Sequence, residues 1–136
     1  VASPALVAAL VGVGEGMTYT LTIPGPPVAK QRPRRAPGGQ WYTPKRTVDA
    51  ETYIGECLMV AGVTLEPDRE YAIEVTYYLT TRRSDLDNLT KLTLDGIGRY
   101  GGRDGWNDRQ VTSLVVRCVG VKDASEERTE LTIRGL

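Results

Sequence analysis

"YAIEVTYYLTTRRSDLDNLTKLTLDG", Tyr71 to Gly96, sets the fold class. Up to Thr81 it alternates apolar and polar residues and is rich in β-branched and aromatic side chains. That is the pattern of a strand with one buried face. From Asp85 the period changes. At about 100° per residue, Leu86, Leu89, Leu92, Leu94 and Ile97 gather on one face of a helix, and Asp87, Asn88, Lys91 and Asp95 gather on the other. The pattern predicts a helix from about Asp85 to Gly98. A strand that feeds directly into an amphipathic helix is one step of a sheet covered by helices.

Outward from this stretch, "TYTLTI" after Met17 predicts a strand ended by "PGPP". Residues 28–44 are rich in Pro, Gly and Arg and too punctuated for regular structure, so a long loop is expected there. Pro44 suits the first turn of a helix that continues through "KRTVDAETYIGECLMVAG" to a stop at Gly62. Its apolar stripe is moderate: Val48, Tyr53 or Thr52, Cys57 or Glu56, and Val60. After the glycine-rich "RYGGRDGWN", the run "QVTSLVVRCVGV" reads as a strand. The polar "KDASEE" then leads into "RTELTIRGL", whose alternation predicts an antiparallel hairpin with the strand before it. The order is βαβαββ: one small α/β (α+β) domain over residues 17–136, a mixed sheet with two helices.

Residues 1–16 form an Ala/Val/Leu-rich run, shorter than the ~20 apolar residues that cross a bilayer and without the basic start of a secretory signal. They are expected to be an upstream extension that need not be native to the domain.

Composition narrows the chemistry. With 40% hydrophobic and 25% charged residues, disorder and membrane classes are disfavoured. Lys and Arg (17) balance Asp and Glu (17), so the whole molecule is no polycation. The distribution is uneven, however: Lys30, Arg32, Arg34, Arg35, Lys45 and Arg46 fall within residues 30–46, where there is no acid. There is no histidine, which excludes His-based acid–base catalysis, a Ser-His-Asp triad and His-ligated zinc. Cys57 and Cys118 lack any Cys-x-x-Cys partner and read as small buried hydrophobes in a reducing compartment.

The polar face of the central helix admits two readings. In one, Asp85 is an N-cap and Asp87, Lys91 and Asp95, each four apart, form a surface ion-pair ladder worth a few tenths of a kcal/mol per pair. In the other, the carboxylates form a metal site. Arg82 and Arg83 place cations at the strand-to-helix junction, where sheet proteins bind ligands. "WNDRQV" adds Asp108 just before the next strand, and if that strand neighbours the one ending at Thr81, Asp108 can reach the same place. Carboxylates without histidine or thiolate suit a hard cation, Mg²⁺ or Mn²⁺, which with substrate phosphate is a common means of cleaving phosphodiesters. The basic loop, with Trp41 and Tyr42 interleaved, suits a phosphate backbone and a stacked base, or is a solvated basic loop.

"DLDNLTKLTLDGI" followed by "DRQV" resembles the signature of RusA-type Holliday junction resolvases. "PGPPVAKQRPR" followed by "WYTPKRTVDAE" is similar to the phage-type branch of that family. The resemblance runs from Met17 almost to the carboxyl end. It implies a homodimeric, Mg²⁺-dependent endodeoxyribonuclease (Mn²⁺ able to substitute) that nicks two opposed strands of four-way DNA junctions and leaves 5′-phosphate and 3′-hydroxyl ends. It implies Asp85, Asp87 and Asp108 as metal ligands, Lys91 as the catalytic lysine, and Asn88 and Asp95 as supporting residues. Lys30, Arg32, Arg34, Arg35, Lys45, Arg46, Arg82 and Arg83 become candidates for holding DNA, with Arg117 and Lys122 behind them. A cytoplasmic, nucleoid-associated setting in a bacterium or phage-infected host follows.

Two departures from the family pattern stand out: Asn107 replaces an aspartate common at that position, and "GRYGGRDGW" has an insertion-like length. Less selective DNA cleavage, or silent binding of junctions or single strands, are the alternative functions.

Overall fold

The computed structural model describes residues 17–81, 85–102 and 105–136. Strands β1 (Thr18–Pro24), β4 (Tyr71–Leu79), β5 (Val111–Gly120) and β6 (Arg128–Gly135) form one sheet in the order β1-β6-β4-β5. Helices α1 (Lys45–Val60) and α2 (Leu86–Gly101) cover one face. Strands β2 (Arg34–Arg35) and β3 (Trp41–Tyr42) pair as a small antiparallel ribbon outside the sheet. The βαβαββ order therefore holds, with this ribbon inserted where an irregular loop is expected. Gly39, at φ +86°, permits the turn between its strands, and Ala36 closes it by donating to the Gln40 carbonyl at 2.7 Å.

The sheet is one-sided, and strand alternation shows it. Tyr71, Ile73, Val75, Tyr77 and Leu79 of β4 are buried beneath the helices, while Glu74 points to solvent on the open face. Beside them lie Leu131 and Ile133 of β6, then Tyr19, Leu21 and Ile23 of β1. Above are Ile54, Cys57 and Leu58 of α1 and Leu89, Leu92 and Ile97 of α2. Each fully buried Leu or Ile stabilises the fold by about 1.5–3 kcal/mol, so this layer holds α2 at a fixed height. The helices approach closely at Gly96, where a Cβ would lie 2.9 Å from the Ile54 Cβ. Burial pushes the Cys57 thiol up to about 11; both cysteines are free, and Cys57 is buried as expected, whereas Cys118 on the outer strand β5 is only partly buried.

Two expectations about pairing and faces change. The last strand makes no hairpin with β5. It inserts between β1 and β4, antiparallel to both, while β5 lies parallel to β4 on the outside. The polar connection crosses the end of β4: the Val121 amide donates to the Leu79 carbonyl, and Glu127 accepts from the Thr80 amide and hydroxyl. Alternation alone registers one buried face and cannot say how many edges of a strand are paired. On α1 the buried positions are Thr47, Glu51, Ile54, Cys57 and Leu58, whereas Val60 is exposed. The stripe is rotated from the expected one because two of its members are polar.

Candidate active site

Asp85 starts α2 with its backbone: its carbonyl accepts the amides of Asn88 and Leu89, both at 3.1 Å. Its side chain makes no capping hydrogen bond. Asp87 follows in the first turn and Lys91 one turn later, and all three side chains are exposed. Among the described residues none of the three has an ion-pair or side-chain hydrogen-bond partner. The ladder does not form: Asp95, its expected third rung, pairs with Lys30 from the preceding loop instead of Lys91. An exposed acid pair thus stands at a helix start, where the dipole favours anions, with an exposed lysine one turn on.

Asp108 is placed differently. Strand β5 does neighbour β4, but parallel, from Tyr71↔Val111 to Leu79↔Gly120 with one register shift between Tyr71 and Ala72. A residue just before β5 therefore arrives at the start of β4, whereas Asp85 follows its end. Asp95, which lines a cleft together with Asp108, is itself ten residues along from Asp85, about 15 Å at 1.5 Å per residue. In one chain Asp108 lies with Asp95, Lys30, Glu51, Asn107 and Trp106 around an open cleft of ≈ 500 Å³. The convergence of Asp85, Asp87 and Asp108 expected from strand adjacency does not occur within the chain. Among the described residues no group of three or more acids or cysteines is arranged to hold a metal ion.

The turn bearing Asp108 is firmly built. Asn107 caps it, its Oδ1 accepting the Arg109 amide at 3.0 Å, and its own amide donates to Gln110 Oε1 at 3.0 Å. Gln110 Nε2 donates in turn to the carbonyls of Glu66 and Arg69 at 2.6 and 2.7 Å. Asn107 here is a capping residue, a role asparagine fills as well as aspartate. Asp108 itself stays exposed.

The basic loop divides into two parts. Arg32, Arg34, Arg35 and Arg46 are exposed, as are Trp41 (69%) and Tyr42 (48%), so the ribbon carries cations and uncovered aromatic faces together. Lys45 is exposed too, with a loose ion pair to Asp49 at 3.7 Å. Lys30 is turned inward: its Nζ donates to Glu51 Oε2 at 3.1 Å and to Asp95 Oδ2. Burial opposes its charge, and the bonds to Asp95 and Glu51 outweigh burial, so its pKa is raised. Its backbone amide donates to the Asn88 carbonyl at 2.9 Å, which fixes the root of the ribbon to the first turn of α2, beside Asp87 and one turn before Lys91. Arg117 and Lys122 are exposed on and after β5. Arg82 and Arg83 lie outside the described residues.

Glu51, Thr47 and Gln110 are structural members of this region that hydrophobic patterning passes over. A signal for Glu51 existed in its helical spacing from Thr47, Ile54 and Leu58, but a polar residue at a core position reads as a break in the stripe.

No helix among the described residues is long and apolar enough to cross a membrane. The family model described as Endodeoxyribonuclease RusA matches residues 24–134, which takes in the ribbon, both helices and every candidate carboxylate. No curated protein matches the chain.

Proposed function

This chain belongs to the RusA endodeoxyribonuclease family, and from that premise we propose that it resolves four-way DNA junctions in recombination and repair, as a Mg²⁺-dependent homodimer. The observation that carries this reading is the bond from the Lys30 amide to the Asn88 carbonyl. It roots the exposed Arg34–Tyr42 ribbon at Asn88, beside Asp87 and one turn before Lys91.

The donors fit a hard cation. Asp85 and Asp87 offer exposed carboxylate oxygens that no side chain among the described residues occupies, and the chain has no histidine to favour zinc. One chain brings two carboxylates together, and the third is the partner's Asp108. Strand β5 is an outer strand; of its helix-side residues Val116 and Cys118 are only partly buried against the core, and Leu114 is 43% exposed. An edge of this kind invites a second strand. Antiparallel pairing of two β5 strands about a two-fold axis carries the partner's Asp108 to the end of the sheet where Asp85 and Asp87 stand, and does so twice.

A bound Mg²⁺ would polarise the scissile phosphate and lower the pKa of an attacking water. The chain's own groups do the rest. Arg32, Arg34, Arg35 and Arg46 hold phosphates, while Trp41 and Tyr42 offer faces for a base unstacked at the crossover. Lys91 neutralises charge that develops on the phosphate or leaving oxygen. Two equivalent sites on a two-fold dimer match two equivalent strands of a junction.

The test compares a synthetic mobile four-way junction with linear duplex of the same sequence, with Mg²⁺ and with Mn²⁺. Junction-selective paired nicking is expected, and Asp87→Asn should lower it at least about a hundredfold while leaving junction binding intact or tighter. Equal cutting of both substrates would reduce the reading to an unselective nuclease. No cutting with either metal would leave a binding protein.

A further inference from the structure

Glu51 is the single charged side chain that the fold buries among the described residues, at 2% exposure. A buried carboxylate is tolerated only when paired, and here both oxygens are used: Oε2 by Lys30 and Oε1 by the Arg99 Nε. Lys30, with its side chain 21% exposed, also holds Asp95. The network thus joins the loop, α1 and α2. Its neighbours act in the same direction. The Gln31 amide donates to the hydroxyl of Thr47 at 3.1 Å, and Thr47 is fully buried on α1. Residues 30 and 31 are seated between the two helices, three positions before the ribbon begins at Arg34.

We propose that Lys30 and Glu51 are positioning residues: their ion pair seats the basic ribbon in one register against α2, so that a phosphate held by Arg34 and Arg35 is presented to the carboxylates. The part that concerns presentation rests on the nuclease reading above; the seating does not. Lys30 is then not a DNA contact, although it stands among cations that are. Its ammonium already faces two carboxylates, and a phosphate would have to displace them. Three residues span at most about 10 Å, short enough to transmit the anchor to the ribbon.

The experiment uses the full chain with Lys30→Gln, Glu51→Gln and the conservative Lys30→Arg. Hydrogen exchange of the free protein, without DNA or metal, should show amides of residues 30–43 exchanging at least about tenfold faster in the two Gln variants. Amides in the middle of α2 should stay within about twofold, and Lys30→Arg should restore protection. If Glu51→Gln raises exchange throughout the molecule, Lys30→Gln at the partly exposed position decides.

Junction binding across a salt series should keep its slope in Lys30→Gln, because no phosphate contact is lost. Single-turnover cleavage at saturating junction should fall about tenfold with affinity changed less than about threefold, and Lys30→Arg should recover it. Unchanged ribbon exchange in Lys30→Gln would overturn the seating. A slope lower by about one would make Lys30 a phosphate contact after all. Faster exchange with undiminished cleavage would overturn the positioning role. If the wild-type chain cuts no DNA, the exchange and salt results still decide the seating.

Discussion

Asp85 and Asp108 stand at opposite ends of the β4–β5 pair, because the two strands run parallel and α2 between them returns the chain to the start of the sheet. A site that needs both must draw them from different chains, and this can be tested without a structure of the dimer. Asp85→Asn and Asp108→Asn should each be inactive alone. Mixed and allowed to exchange subunits, they should regain nicking of one strand. In a mixed dimer with shared sites, both substitutions fall in the same site and the other is intact. If each site lay within one chain, both would stay damaged and mixing would restore nothing. Leu114→Asp, at the open edge of β5, should block both dimer formation and rescue, with sedimentation reporting the first. Rescue that persists in a chain shown to be monomeric would refute the shared site.

Much of the fold is legible in the sequence, although the separation of Asp85 from Asp108 is not, because it depends on β5 running parallel to β4. The leucines of α2 are regularly spaced, and the face they predict is the face that is buried, because α2 obtains its stability from that stripe. Its polar edge was legible as a set but not as partners: Asp95 faces a lysine from another loop, which intrahelical spacing cannot anticipate. Glu51 was hidden because its burial depends on Lys30 and Arg99, distant in sequence. The position of β6 was hidden for a related reason. Its alternation reports a face, whereas its place between β1 and β4 depends on which edges the two crossovers leave open. Asn107 reads in the sequence only as a departure from a common aspartate; that it caps the turn depends on the Arg109 amide, which spacing does not place.

The exposed ribbon predicts how binding responds to salt. Arg34 and Arg35 are adjacent, exposed and free of carboxylate partners among the described residues. Replacing both with Ala should weaken junction binding and lower the slope of log K against log salt by about two, roughly one per lost phosphate contact. Trp41→Ala should weaken binding by about 1–3 kcal/mol if a base stacks there, with little change in slope because stacking releases no counterions. Fluorescence anisotropy of a labelled junction over a salt series measures both. An unchanged slope in Arg34→Ala/Arg35→Ala would remove the ribbon from the interface.

Alkaline stability follows from Tyr77, which lies under α2 with its hydroxyl 2.7 Å from the Thr93 hydroxyl. Burial pushes its pKa from 10.0 up to about 12, against the opposing pull of the Thr93 and Thr90 hydroxyls. The folded protein thus holds this proton more tightly than the unfolded chain. Its contribution is complete below pH 10 and is lost as pH rises from there towards 12, a drop of about 2–3 kcal/mol from this group alone. Urea unfolding at stepped pH should show the decline. Tyr77→Phe should cost about 1 kcal/mol at neutral pH for the lost hydrogen bond, with the Thr93 hydroxyl still bonded to the Leu89 carbonyl. Above pH 10 the variant should fall less steeply than the wild type. It should not become flat, because Tyr53 is raised to about 12 as well, chiefly by burial, and remains in place. Parallel declines in the two proteins would mean that Tyr77 ionises without opposing the fold, and that the phenol is less enclosed than its packing under α2 requires.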